Sequence, residues 1–246
     1  MYKRQVFDGA NPSSIKSCIE AARHNARSVR TALTTEVWEA INSTYHQFQD
    51  LERTPRSELD LPTLTEWAKR QVTLVRGAFM NTQLENEGFH FYNLGNLIER
   101  ADNTARVLDV KYYVLLPTIE MVGGGVDNYQ WSTILRAMSA YRAFHWTYGG
   151  DHQPSKIADF LILNRACPRS LIHCFHGADD HLGDLAQVTG SPTEAQAIAS
   201  GLVARLKCTS VRRIFDEGLH EFLTEIIAEN ARLSTQIAQC YLFGEQ

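Results

Sequence analysis

Between Glu85 and Leu116 the chain reads ENEGFHFYNLGNLIERADNTARVLDVKYYVLL, with no proline until Pro117. At about 100° per residue, Leu94, Leu97, Ile98, Ala101, Ala105, Leu108 and Tyr112 share one face, the pattern of an amphipathic helix. The polar residues of this helix gather into two ridges. Glu99, Asp102, Arg106 and Asp109 lie on one flank, with Asp102 four before Arg106 and Arg106 three before Asp109, spacings at which side chains meet. Arg100, Thr104 and Lys111 lie on the other flank. The rest of the chain is expected to pack around the apolar stripe.

The flanking segments carry helical periodicity as well. Ile15, Cys18, Ile19, Ala22, Ala26, Val29 and Leu33 form a narrow stripe, and Lys16, Arg23, Arg27 and Arg30 form a basic ridge beside it. Cations so close together need solvent, carboxylates or an anionic ligand, and the acidic flank of the organising helix is the first structural partner to consider. Thr34 or Thr35 can cap a helix running to about Leu51, and the polar stretch ERTPRSELDLP reads as a connector. Thr63 and Glu66 have capping-box spacing for a helix to about Met80. Asp127 can cap a helix through Tyr141, with Arg142 and His145 at the edge of its apolar face. Pro154, Pro168 and the Ser191–Pro192–Glu194 signal open three more helices. A last long helix carries Ile214, Phe215, Leu219, Phe222, Leu223, Ile226, Leu233 and Ile237. No alternating strand pattern is present, so the expected fold is all-α, a single bundle of roughly eight helices. MYKRQ fits neither a motif nor a helix, so residues 1–11 are expected to be disordered or artefactual, with the domain spanning 12–246.

A net charge of −4 gives no reason to expect nucleic acid or an acidic membrane surface. No apolar run reaches the roughly 18 residues that a membrane span requires. The five cysteines are scattered without a CxxC pair, which suits reduced thiols in a cytoplasmic protein. Gly123–Gly125 lacks the lysine of a phosphate loop, and no Gly-x-Ser-x-Gly elbow occurs. Glu87 with His90 and Glu217 with His220 have the Glu-x-x-His spacing of dinuclear helical bundles, but the helical wheel places Glu217 opposite the core face of its helix. His173, His176 and Asp180 share a face, with His181 adjacent, and read as solvated side chains before they read as zinc ligands. No metal and no cofactor are expected.

The run Leu94-Gly95-Asn96-Leu97-Ile98-Glu99-Arg100-Ala101-Asp102-Asn103-Thr104-Ala105-Arg106 resembles the hallmark of the alpha-E family, an all-helical domain named for its Glu-Arg motif. EGFHF before it, the Arg-rich segment 13–42, DNYQWSTILRAMSAYRAF, CPRSL and IFDEGLHEFL are similar to family segments in the same order. Asn96 stands where the family usually shows arginine, and no earlier Glu-Arg copy precedes the motif. The resemblance therefore implies an N-terminally truncated chain lacking roughly 70 residues, its first helix among them, about half of a typical domain length. It also implies a place beside a circularly permuted ATP-grasp ligase, with a transglutaminase-like peptidase and a peptide substrate as further partners, in a peptide-modifying amidoligase system. Three readings follow. The first is an accessory protein that engages the ligase or its peptide substrate. The second is an enzyme of the same pathway, and the third a metal-binding bundle. The candidate polar site for the first two comprises Glu99, Arg100, Asp102, Arg106, Glu87, His90, Arg23, Arg27 and Arg142.

Overall fold

Every α-helix expected from periodicity is present in the computed structural model, which describes residues 3–55, 57–114 and 125–241. Among these residues the regular elements are twelve α-helices and one short 3-10 turn, with no strand. The fold is all-α, with about half as many helices again as the spacing predicted. The chain divides into two units, Met1–Phe89 and His90–Gln246.

The first unit holds α1 (Lys3–Val6), α2 (Ile15–Ser28), α3 (Thr35–Arg53) and α4 (Leu61–Thr82), with α2 packed on α3 and α3 on α4. Ser14 and Thr34 cap α2 and α3 by accepting from backbone N–H groups three residues on. The cap of α4 is Asp60 rather than Thr63: its carboxylate accepts from the Thr63 N–H at 2.9 Å, and Pro62 occupies the first turn. The small core consists of Val6, Phe48 and Leu64, with Phe7, Ile15, Ile19, Leu51 and Trp67 against it. Residues 3–11 thus join the fold, because Val6 is buried and Phe7 stacks on Phe48 at 5.7 Å between ring centres. The end of α4 is tied back to the α2–α3 connection. Gln83 donates to the Ala32 carbonyl at 2.9 Å, and the Thr34 and Thr82 hydroxyls lie 2.7 Å apart.

The unit boundary falls within the first turn of α5 (Glu87–Val114), which continues into the second unit. There follow α6 (Gly125–Ala137), α7 (Tyr141–Tyr148), α8 (Pro154–Ile162), α9 (Leu171–Thr189), α10 (Glu194–Lys207), α11 (Val211–Glu217) and α12 (Leu219–Cys240). A continuous core runs from Leu94, Ala101 and Leu108 of α5 through Leu135, Phe144, Leu161, Phe175 and Leu182 to Leu223 and Leu233 of α12. Two expected helices are each broken in two. The helix through Tyr141 stops at Ala137 because Ser139 takes a left-handed backbone, φ 53°. The last helix breaks at Gly218, φ 105°, a conformation that only glycine adopts cheaply. A Cβ there would also strike the Glu221 carboxylate. Asp127 falls inside α6 rather than at its cap. Ser170 and Thr193 cap α9 and α10, one to two residues beyond the prolines that signalled them.

Thr104 and Lys111, on the second flank of α5, are buried. The reason is that α5 is covered on several sides. It meets Gly177 of α9 through Leu97, the segment before α9 through Thr104, and α12 through Asn230, which donates to the Ile98 carbonyl at 3.1 Å. A helix surrounded in this way spreads its buried positions beyond a single stripe.

Candidate functional site

The two residues of the Glu-Arg pair of α5 differ in their surroundings. Glu99 is exposed, whereas Arg100 is half-buried and its Nη1 donates to the Pro168 carbonyl at 3.1 Å. One turn on, the Thr104 hydroxyl donates to the Arg169 carbonyl at 2.8 Å. The Ser170 hydroxyl donates to the Asn164 carbonyl at 2.6 Å and accepts from the His173 N–H. The loop from Asn164 to Ser170 is therefore fastened to α5 by side chains that reach its backbone carbonyls, and it feeds directly into the cap of α9.

Two cysteines lie at this junction. Burial pushes the Cys174 thiol up to about 12. Burial also raises Cys167, with backbone N–H groups of Arg169 and Ser170 partly opposing it. Both thiols stay protonated at neutral pH and are poor nucleophiles. A thiol-specific reagent at pH 8 is expected to label exposed Cys18 and Cys208 at once and Cys167 and Cys174 only after denaturation. Rapid labelling of Cys174 in the folded chain would contradict this assignment.

On the opposite flank Arg106 donates to Asp102 at 2.6 Å, a bond that raises the guanidinium further above its ordinary value. Asp109 pairs with His220 of α12 at 2.5 Å, and both are partly exposed. Lys111 donates to Gln130 at 2.7 Å and stands 5.4 Å from the centre of the Trp131 ring. The Glu217–His220 pair is split between partners: Glu217 accepts from Arg213 at 2.6 Å. His173 lies 3.0 Å from the Arg165 carbonyl and His176 2.9 Å from Asp180, so of the three residues sharing that face His176 and Asp180 pair while His173 turns to the loop. His181 instead meets His90 of α5, with the two Nδ1 atoms 3.0 Å apart, and Asp184 approaches His90 at 3.7 Å. Spacing had paired His90 with Glu87, which is exposed in the first turn of α5 and lies in the first unit.

The remaining candidates are dispersed. Arg142 is exposed on α7, and His145 beside it faces His152 at 3.2 Å. In the first unit Arg23 donates to Asn42 at 2.9 Å and lies over the Tyr45 ring, Arg27 is exposed, and Lys16 bonds Glu52 at 2.8 Å. Much of the basic ridge is thus engaged by its neighbours within the unit. Of the surface clefts, one runs between α10 and α12, where Arg205 pairs with Glu225 and Arg232 with Glu229. Another is bordered by Tyr129, Asp151 and His152. Neither is lined by Glu99 or Arg106.

An all-helical protein organised on a central helix with a Glu-Arg pair is the class these features define. The chain belongs to the Alpha-E family, whose model, described as a predicted alpha-helical domain with a conserved ER motif, matches residues 1–242. No curated protein and no solved structure matches it at a significant level. Among the described residues, no helix is long and apolar enough to cross a membrane.

Proposed function

We propose that the chain is an accessory helical subunit of an ATP-grasp amidoligase system and docks on the ligase through the exposed ridge around Glu99. The observation that carries this reading is the division of labour within the motif. Arg100 is committed to the Pro168 carbonyl, while Glu99 faces solvent on the same rigid helix. A carboxylate carried on a well-packed helix suits recognition of a basic patch, because the backbone that bears it is already ordered before binding. Nucleotide binding and ligation fall to the partner, since the glycine run at 123–125 lacks the lysine of a phosphate loop. A peptide substrate and a transglutaminase-like peptidase are further partners of the same system. The enzyme reading has less support, because Glu99, Asp102 and Arg106 do not line either cleft described above.

Copurification with an ATP-grasp ligase, at low ionic strength, is expected to yield a stoichiometric complex. Glu99→Lys should weaken that complex at least tenfold while leaving the melting temperature of the isolated chain unchanged within a degree or so. Absence of a complex, or one indifferent to Glu99→Lys, would overturn the proposal.

A further inference from the structure

We propose that His90, His181 and Asp184 bind one divalent transition-metal ion of the zinc class. His90 Nδ1 lies 3.0 Å from His181 Nδ1 and 3.7 Å from Asp184 Oδ2, and one ligand atom from each residue falls within 4.8 Å of the other two. In a tetrahedral centre with zinc–nitrogen bonds of about 2.0–2.1 Å, neighbouring ligand atoms are about 3.3–3.4 Å apart. The His90–His181 and His90–Asp184 separations lie on either side of that value and the third pair stands within 4.8 Å, so side-chain adjustment brings the three atoms around one ion.

The scaffold brings these three donors together. His181 and Asp184 are three residues apart on α9 and share a helical face, and α5 supplies His90 across a close helix contact. That contact is set by Gly177, one turn before His181, whose missing side chain lets Leu97 of α5 approach. A hydrogen bond between two neutral imidazoles accounts for the 3.0 Å separation. It does not require a carboxylate as a third corner.

Exposure is graded across the cluster. The His90 side chain is 13% exposed and that of Asp184 is 52% exposed. Three protein ligands with one open side leave room for water or a substrate group in a fourth position, the layout of catalytic rather than closed structural zinc sites. Two imidazoles and one carboxylate select late first-row ions such as Zn²⁺ over Mg²⁺ or Ca²⁺, which favour oxygen ligands.

The test is zinc titration of the full chain by calorimetry, with Cys18 and Cys208 replaced by serine to remove exposed thiols. One equivalent of Zn²⁺ is expected to bind and raise the melting temperature, and Mg²⁺ at the same concentration is expected to do neither. Cobalt(II) should give the visible absorption of a low-coordinate nitrogen and oxygen site. Asp184→Asn, at a half-exposed position, should fold like the parent and bind Zn²⁺ at least tenfold more weakly. His90→Gln should abolish binding, and His152→Gln should leave it intact. The proposal is overturned if the parent takes up no zinc. It also fails if Asp184→Asn and His90→Gln bind as the parent does, if Mg²⁺ competes equally, or if binding is lost with His152 instead.

Discussion

Leucine in place of Gly177 is expected to destabilise the folded chain by about 3 kcal/mol, at the upper end of what overpacking a well-filled contact costs. A Cβ built on Gly177 already lies 3.0 Å from Leu97 Cδ1 and 3.4 Å from Cδ2. The three further carbons of leucine would therefore have to occupy space that α5 now fills. Alanine is a different case. Its single methyl asks Leu97 to yield by a few tenths of an ångström, while replacing a mid-helix glycine gains roughly 0.5–1 kcal/mol, so the net change should be within about 1 kcal/mol of zero. Denaturant melts of Gly177→Ala, Gly177→Leu and Gly177→Leu with Leu97→Ala would separate the effects. The double variant should recover most of the lost stability, because the removed side chain makes room for the added one. If Leu97→Ala brings no recovery, the clash lies elsewhere.

The second large effect concerns the arginine of the Glu-Arg pair. Arg100→Ala removes a charge-assisted hydrogen bond to the Pro168 carbonyl, with an expected loss of about 1.5–3 kcal/mol. Thr104→Val keeps the side-chain shape but leaves the Arg169 carbonyl without that donor, with an expected loss of about 1–3 kcal/mol. Both bonds hold one short loop, so the two losses should not add. Once the first anchor is gone, the loop can relax and the second costs less. A double-mutant cycle read by urea unfolding is expected to show a coupling of at least 0.5 kcal/mol. Strict additivity would mean that each residue acts on a separate structure. Glu99→Gln serves as the control and should leave the unfolding midpoint where it was.

These expectations show which parts of the molecule local chemistry reveals. Thr34 is a cap because its hydroxyl serves an N–H three residues away, and such short-range bonds can be read from neighbouring letters. The all-helical class follows from the same periodicity. The break at Ser139 was hidden because neither glycine nor proline marks it, and the apolar spacing carries straight through from Met138 to Tyr141. Gly218 did mark its break, but Ile214, Phe215, Leu219 and Phe222 continue one stripe across it. The histidine cluster was beyond reach for another reason. His90 and His181 are 91 positions apart, and periodicity tells which face a residue occupies without telling which two faces meet. The available signals were His90 at the buried spacing of Leu94 and Leu97, and the three-residue step from His181 to Asp184.

Three polar side chains of α5, Thr104 and Lys111 buried and His90 partly so, also act as a vernier. His90, Thr104 and Lys111 face His181, the Arg169 carbonyl and Gln130, and they span 21 residue steps, or about 32 Å of helix. A neighbour displaced by one turn, about 5.4 Å, would still set apolar surface against the leucines and alanines of the stripe, at the cost of repacking them. The polar matches would not survive, because the same slide would unmake all three together. The axial alignment of α5 is thereby marked at three points along its length. Glu99, carried on that helix, keeps one axial position relative to the rest of its unit.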